Sequence, residues 1–385
     1  MSQISPESCS YSNHADFLRN GVFRPARIPQ DWALHTTNVA SEWVEQQFLA
    51  HIAGWPLVNL PPKLDMVTML SCGQLALRMA HAYQHSNIDI IRYNEALAKR
   101  ESGMNDAQEE ALLTKFPPAE NIFLDTPSVV MDSGFRVILW YIPDGLSPWV
   151  QNDMYAATVS MGDLLKKSVT TRKGSGWRTH ESNFRPAELP GLTPGCINIA
   201  LCWFQQGHEC YGPPPNNPED GFKPEVSATL KGERSLSMIM DMQRPALLAS
   251  AALRVMHPQL YWASAAAVMC NHQSPNHRDP KCLPEAFDIL TSIGSYRQAI
   301  MKLPNLGIEL AYNPGVMVSY LGRLVRHGIR VDEGDRIVWS WFLRDSVHNY
   351  ARTPRPDYAR YNPADLNAYK LAKYNQANFT VYGKL

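Results

Sequence analysis

The chain has 385 residues, enough for one large domain or two modest ones with a sizeable core. Its 36 basic and 36 acidic side chains cancel, so no global field announces a polyanionic partner, and any nucleic-acid surface has to be local. Seven cysteines without a CxxC pair speak against a disulfide scaffold. No apolar run reaches the roughly 18 residues of a membrane span, and the first residues lack the pattern of a secretory leader. The expectation is an intracellular protein with reduced thiols.

Residues 1 to about 60 are rich in proline and read as irregular. The 66–85 stretch, MVTMLSCGQLALRMAHAYQH, repeats apolar residues every three or four positions and predicts an amphipathic helix. A second helix is predicted over 105–116, opened by Asn105 or Asp106 and stopped by Pro117 and Pro118. From Ile122 the period shortens. SVVMDSGFRVILWYI predicts a hairpin turning at Asp132-Ser133-Gly134. Ser147 and Pro148 then supply a cap and a first-turn proline for a helix to about Leu165.

The 166–178 stretch, KKSVTTRKGSGWR, holds five basic residues, no acidic one and two glycines, and predicts an exposed loop. Residues 207–221 read as loop, and 245–256 and 261–269 as apolar helices separated by His257-Pro258. After Pro280, short β-type runs punctuated by Gly, Pro and Asn predict a sandwich or barrel rather than alternating βαβ units. A last helix is expected after Asn362-Pro363 in a Tyr-rich tail. The fold class expected is α+β. Its parts are a mainly helical region over 1–117, a β-rich domain over 118–350 flanked by helices, and a tail over 351–385.

His277-Arg278-Asp279 spells two different chemistries. A kinase catalytic loop needs Asn five residues after the Asp, and that position is Pro284; neither a D-F-G nor a Gly-rich loop is present. Non-haem Fe(II) oxygenases instead hold their metal with two histidines and a carboxylate on one face. His-x-Asp supplies two such ligands, because alternate side chains of an extended chain point the same way. His327, just past a β-type run, is the candidate third ligand. Arg336, nine residues further, offers the planar fork that grips the far carboxylate of 2-oxoglutarate. In the strand that follows, Arg336, Val338, Ser340, Phe342 and Arg344 share one face, and Ile337, Trp339, Trp341 and Leu343 the other. Ser340 is therefore a second candidate for the co-substrate.

The stretches NHRDPKCLPEAFDILTSIGSYRQAIMKLPNLGIELAYNPG and RHGIRVDEGDRIVWSWFLRDSVHNYARTPRPDYARY resemble the TET/JBP dioxygenases, in particular their mushroom members. So do FRVILWYIPDGLSPWVQNDMYAA and WFQQGHECYGPPPNNPEDGFKPEVSATLK, and the likeness covers roughly residues 118–362. The resemblance implies a double-stranded β-helix (jelly-roll) core with Fe(II), 2-oxoglutarate and O₂. It implies oxidation of 5-methylcytosine in DNA to the 5-hydroxymethyl, 5-formyl and 5-carboxyl bases. His277, Asp279 and His327 would be the iron ligands and Arg336 the 2-oxoglutarate anchor, with Phe342 stacking on a flipped base.

Two positions depart from the better-known members. Cys282 stands where they place Asn or Asp, and Arg344 where they place a base-contacting His. Asp345 beside it is a candidate acceptor for an exocyclic amine, which both cytosine and adenine carry, so N6-methyladenine stays open as substrate. Lys166, Lys167, Arg172, Lys173 and Arg178 are candidates for phosphate contacts. A DNA substrate implies a nuclear protein; no protein partner and no membrane are implied. A catalytically silent DNA-binding module, or an oxygenase acting on RNA, a free nucleobase or protein, are the alternatives. A structural zinc on Cys202, His208 and Cys210 with Cys270, His272 or Cys282 is the weaker metal option, because tight ligand pairs are missing.

Overall fold

The structure is a computed structural model. It describes residues 32–57, 64–86, 88–97, 103–185, 191–205, 207–210, 221–232, 235–260, 265–331, 333–352 and 355–360. In chain order the front part holds α1 (Trp32–Ala53), α2 (Met66–Ala80), β1 (Tyr83–Ser86), α3 (Ile90–Ala96) and α4 (Asp106–Lys115). Strands β2 (Ile122–Leu124), β3 (Ser128–Met131) and β4 (Val137–Ile142) precede α5 (Pro148–Ser160), α6 (Gly162–Ser168), β5 (Gly195–Ala200) and α7 (Ser235–Met256). The remainder is β6 (Ala265–Cys270), β7 (Ser274–His277), β8 (Asp288–Gly294), β9 (Ile300–Leu303), β10 (Ile308–Ala311), β11 (Val316–Tyr320), β12 (His327–Arg330), β13 (Arg336–Phe342) and α8 (Asp345–Ala351).

Two sheets form, an eight-stranded one in the order β1-β3-β4-β11-β8-β13-β6-β5 and a five-stranded one in the order β2-β10-β9-β12-β7. From β6 to β13 the chain steps between them: β6 large, β7 small, β8 large, β9 and β10 small, β11 large, β12 small, β13 large. That alternation is a double-stranded β-helix, the jelly-roll form of a two-sheet sandwich. Helices α1, α2, α5 and α7 pack on one another, and α5 touches β8, so they back the large sheet. Trp339 Nε1 donates to Thr158 Oγ1 of α5 at 2.9 Å, which fixes the helix-facing side of β13. The other side of β13 faces the small sheet and lines the cleft between the two.

Local chemistry explains several predicted elements. Asp65 caps α2 through Thr68, Asn105 caps α4 through Gln108, and Ser147 caps α5 through Val150. Asp132 closes the β3–β4 hairpin, accepting from the backbone of Gly134 and Arg136 at 2.8 Å each and pairing with the Arg136 guanidinium.

Other expectations are corrected. Residues 32–53, expected to be irregular, form the long helix α1, whose Val39, Ala40, Trp43, Val44 and Phe48 are buried at helical spacing. The 261–269 stretch, expected to be helical, yields β6 from Ala265 onward, while 261–264 lie outside the described residues. Here ladders to β13 and β5 override helix propensity, and small Ala266 sits in register with bulky Trp341. The helix at 148–165 is broken at Met161 into α5 and α6. The helix at 245–256 begins ten residues earlier, at Ser235, and carries Pro245 inside it. The tail helix after Asn362 lies outside the described residues.

Gly294 ends β8 at φ +132°, and a Cβ there would run into the carbonyl oxygen of Asp335. Gly294→Ala is expected to cost roughly 2 kcal/mol or more, read as a lower urea midpoint at unchanged m-value. A second expectation concerns pH. Burial holds His257 near 4, against 6.5 for an ordinary histidine. The unfolded chain therefore binds this proton more readily, so the stability is present above about pH 6.5 and lost as pH falls toward 4. His257→Gln should remove up to about 2 kcal/mol of the stability difference between pH 7 and 5, measured by urea unfolding.

Candidate metal centre and its cleft

Strands β7 and β12 run antiparallel, and their register sets His327 opposite His277. The two imidazoles lie side by side with centroids 4.1 Å apart. Asp279 follows just past β7, held by its backbone N–H donating to Gly322 O at 2.9 Å. Ligand atoms of His277, Asp279 and His327 all fall within 4.8 Å of one another. Both histidines turn Nδ1 to a backbone carbonyl, Pro275 O at 2.8 Å and Val325 O at 3.1 Å. An acceptor there requires the proton on Nδ1, which leaves each Nε2 lone pair facing the centre.

The carboxylate is also divided in its duties. Asp279 Oδ2 faces His327 Nε2 at 3.8 Å, while Oδ1 accepts from Arg178 Nη2 at 2.6 Å. Burial pushes the His277 pKa down to about 3, helped by the neighbouring His327, and burial lowers His327 as well. Burial alone would raise Asp279, but Arg178 and the two histidines hold it below the usual carboxylate range. Two neutral imidazoles and one ionised carboxylate are already in the protonation states a divalent metal needs. The set fits Fe(II), which takes such a facial triad and keeps further positions open.

The cleft extends from this triad along the inner face of β13. Arg336, Val338, Ser340, Phe342 and Arg344 line it in the alternation the sequence predicts. Arg336 is buried; its Nη1 donates to His272 O at 3.0 Å, its Nε to Ser292 Oγ at 3.3 Å, and it lies 5.2 Å from the Tyr312 ring. Its neighbour Asp335 is taken by Arg185 and Asn271, so Arg336 is not a turn residue paired with the adjacent acid.

At the other end Arg344 lies 4.5 Å over the Phe342 ring and Nη1 reaches Cys282 Sγ at 3.8 Å. Cys282 Sγ in turn donates to Asp288 Oδ2 at 3.3 Å.

Asp345 does not join the cleft wall. It opens α8 and is paired with Arg355, away from the residues that line the cleft. Lys166 and Lys167 fall in the last turn of α6 rather than in a loop, and with Arg172 and Lys173 they are exposed. Arg178, expected among the phosphate contacts, has its guanidinium on Asp279, and Trp177 before it packs 4.2 Å from His277. The zinc candidates Cys202, His208, Cys210, Cys270, His272 and Cys282 form no second metal-capable group among the described residues. The Cys270 thiol is pushed up to about 12 by burial, with Asp335 adding to it.

Two cleft residues, Tyr320 and Asp288, escaped the sequence, and a third, Arg178, was assigned a phosphate rather than Asp279. Arg178 is 101 positions from Asp279, so no spacing signals it. Tyr320 lines the cleft with its ring 4.7 Å from His327. Asp288 lines it too; burial, with Asp279 nearby, pushes its pKa up to about 8, and its Oδ1 is buried with no hydrogen-bond partner among the described residues. A lone acid in the apolar run FDILTSI was the available signal.

No protein-family model matches this sequence, and no curated relative matches it. Among solved structures, NgTET1 in complex with 5mC DNA is similar over 66% of this chain and 88% of its own, at 13% identity and TM-score 0.35. An oxidoreductase of the 2OG-Fe(II) oxygenase family from Burkholderia pseudomallei is similar over 53% and 82%, at 11% identity and TM-score 0.31. The double-stranded β-helix is assigned from the strand order itself.

Arg178→Gln should weaken metal binding by roughly tenfold, because a ligating carboxylate loses the donor that orients it. Titration of the metal-free protein with Co(II) measures this; an unchanged affinity would show that Arg178 does not orient the carboxylate.

Proposed function

We propose that this chain is an Fe(II)- and 2-oxoglutarate-dependent dioxygenase that oxidises the methyl group of a methylated base in DNA, with 5-methylcytosine as the principal substrate. The observation that carries this reading is the His277–Asp279–His327 face, two buried histidines and a half-buried carboxylate, opening onto a cleft with Arg336 in its wall. The bound metal and co-substrate would supply O₂ activation coupled to conversion of 2-oxoglutarate to succinate and CO₂. In this reading Arg336 and Ser340 bind the distal carboxylate of the co-substrate. The cationic groups Arg178, Arg336 and Arg344 make the cleft locally attractive to anions although the chain is neutral overall.

A methyl group on a paired base cannot reach a triad this buried, so the base has to leave the helix. Phe342 then offers a stacking surface, and Cys282, Arg344 and Asp288 face the polar edge of the base. Below its pKa Asp288 is a neutral acid that donates as well as accepts. The exposed Lys166, Lys167, Arg172 and Lys173 lie on the segment leading to Trp177 and Arg178 at the triad, which suits them to phosphates flanking that base. Nuclear location follows from a DNA substrate and belongs to the same proposal, as does the 118–350 boundary of the catalytic domain.

Oxidative demethylation of N6-methyladenine is the second reading. Cys282 favours it: a short thiol, where the better-known members of the resembled family carry Asn or Asp, leaves more room for a purine, and Asp288 can pair with either exocyclic amine.

Duplex DNA carrying one or the other methylated base, incubated with Fe(II) and 2-oxoglutarate and digested to nucleosides, should yield oxidised 5-methylcytosine by mass spectrometry, or unmethylated adenine if the second reading holds. His277→Ala should bring turnover to background while the protein remains folded; full activity in that variant would remove the metal assignment. Tight DNA binding without turnover of either base would indicate the silent module. Arg336→Met should raise the KM for 2-oxoglutarate about 10- to 100-fold, the loss of a charge-assisted pair of roughly 1.5–3 kcal/mol.

A further inference from the structure

The side chains flanking the three ligands lead to one place outside the cleft. Arg278 sits between His277 and Asp279, and because alternate residues of an extended chain face opposite ways, its side chain leaves the metal face. It runs instead into the protein, where Nε donates to Glu109 Oε1 at 2.8 Å and Nη2 reaches the same oxygen. Both partners are sealed from solvent, with side chains 1% and 2% exposed. The backbone of Arg278 is held as well, its N–H donating to Gly103 O at 2.8 Å. Gly103 adopts φ +75°, and a Cβ there would collide with the Arg278 carbonyl oxygen.

The third ligand is tied to the same helix. Arg326 immediately precedes His327 and pairs with Asp106, one turn before Glu109 on α4. Its backbone N–H donates to Asn305 Oδ1 at 3.0 Å. One short helix, drawn from the front part of the chain, therefore grips both ligand-bearing segments from behind, one through a buried pair and one through an exposed pair.

We infer that α4 is a positioning clamp for the metal centre, with Glu109 and Asp106 acting through Arg278 and Arg326 to hold the HxD segment and His327 at their mutual spacing. A buried ion pair is a poor device for stability alone, since desolvation cancels much of its attraction and apolar residues of similar volume serve as well. Its directional gain is that two donors on one carboxylate oxygen fix where the Arg278 backbone lies, and with it the ligands on either side. The front part of the chain thereby acquires a role in the chemistry without touching it.

This inference rests on the metal reading of the triad, and the experiment separates the two. Co(II) is titrated into metal-free full-length protein and followed by its visible absorption, with thermal unfolding of the same samples recorded without metal. Wild type should bind and His277→Ala should not; absence of binding by wild type overturns the metal reading and the clamp together. Glu109→Gln, which keeps the shape and removes the charge, should weaken Co(II) binding roughly 10- to 100-fold and alter the absorption band. Asp106→Asn, at an exposed pair, should weaken it roughly two- to fivefold. If Glu109→Gln does not fold, the double change Glu109→Met/Arg278→Met removes the pair without stranding a charge and is read in its place. Wild-type affinity and spectrum in the folded variants, whatever their melting temperatures, would overturn the clamp while leaving the metal assignment intact.

Discussion

The antiparallel pairing of β7 with β12 is the constraint on which the rest of the site depends. It sets His327 opposite His277 and brings the imidazoles to 4.1 Å. A slip of one residue in either strand would turn one histidine out of the centre, because side chains alternate across a strand. The rest of the small sheet serves that register. Strand β9 holds β12 on its far edge, and the turn after β11 presents Gly322 to the backbone of Asp279.

Electrostatics then prepare what register has assembled. Burial keeps both histidines neutral, and carbonyl acceptors at Nδ1 orient them. Arg178 keeps Asp279 ionised and occupies the oxygen that does not face His327. Further along, Arg336 is buried against backbone and hydroxyl oxygens, with no carboxylate partner among the described residues. A buried guanidinium so placed is suited to an incoming anion. The triad and Arg336 thus differ in kind, one suited to a cation and the other to an anion.

Much of the site was legible because its logic is local. His-x-Asp is a strand-spaced pair, and the face of β13 from Arg336 to Arg344 follows from alternation alone. What depended on remote contacts was not. Asp345 is adjacent to Arg344 in sequence but belongs to α8 and its ion pair with Arg355. Arg178 reads as one more basic residue in an exposed stretch, yet the fold delivers it to the triad. Ala265–Cys270 has the composition of a helix and becomes a strand because sheet neighbours on both sides complete its hydrogen bonds.

By itself the sequence determined the candidate ligand types, their spacing within each strand, the inward face of β13, and the caps and turns that start α2, α4 and α5. These are short-range matters of backbone geometry and side-chain hydrogen bonding. Only the tertiary structure decided which distant groups complete the centre: Arg178 on Asp279, Asp288 beside Cys282, and Glu109 behind Arg278. Those partners are separated along the chain by more than any local period reports or, like Asp288, sit in an apolar run whose pattern says only that it is buried.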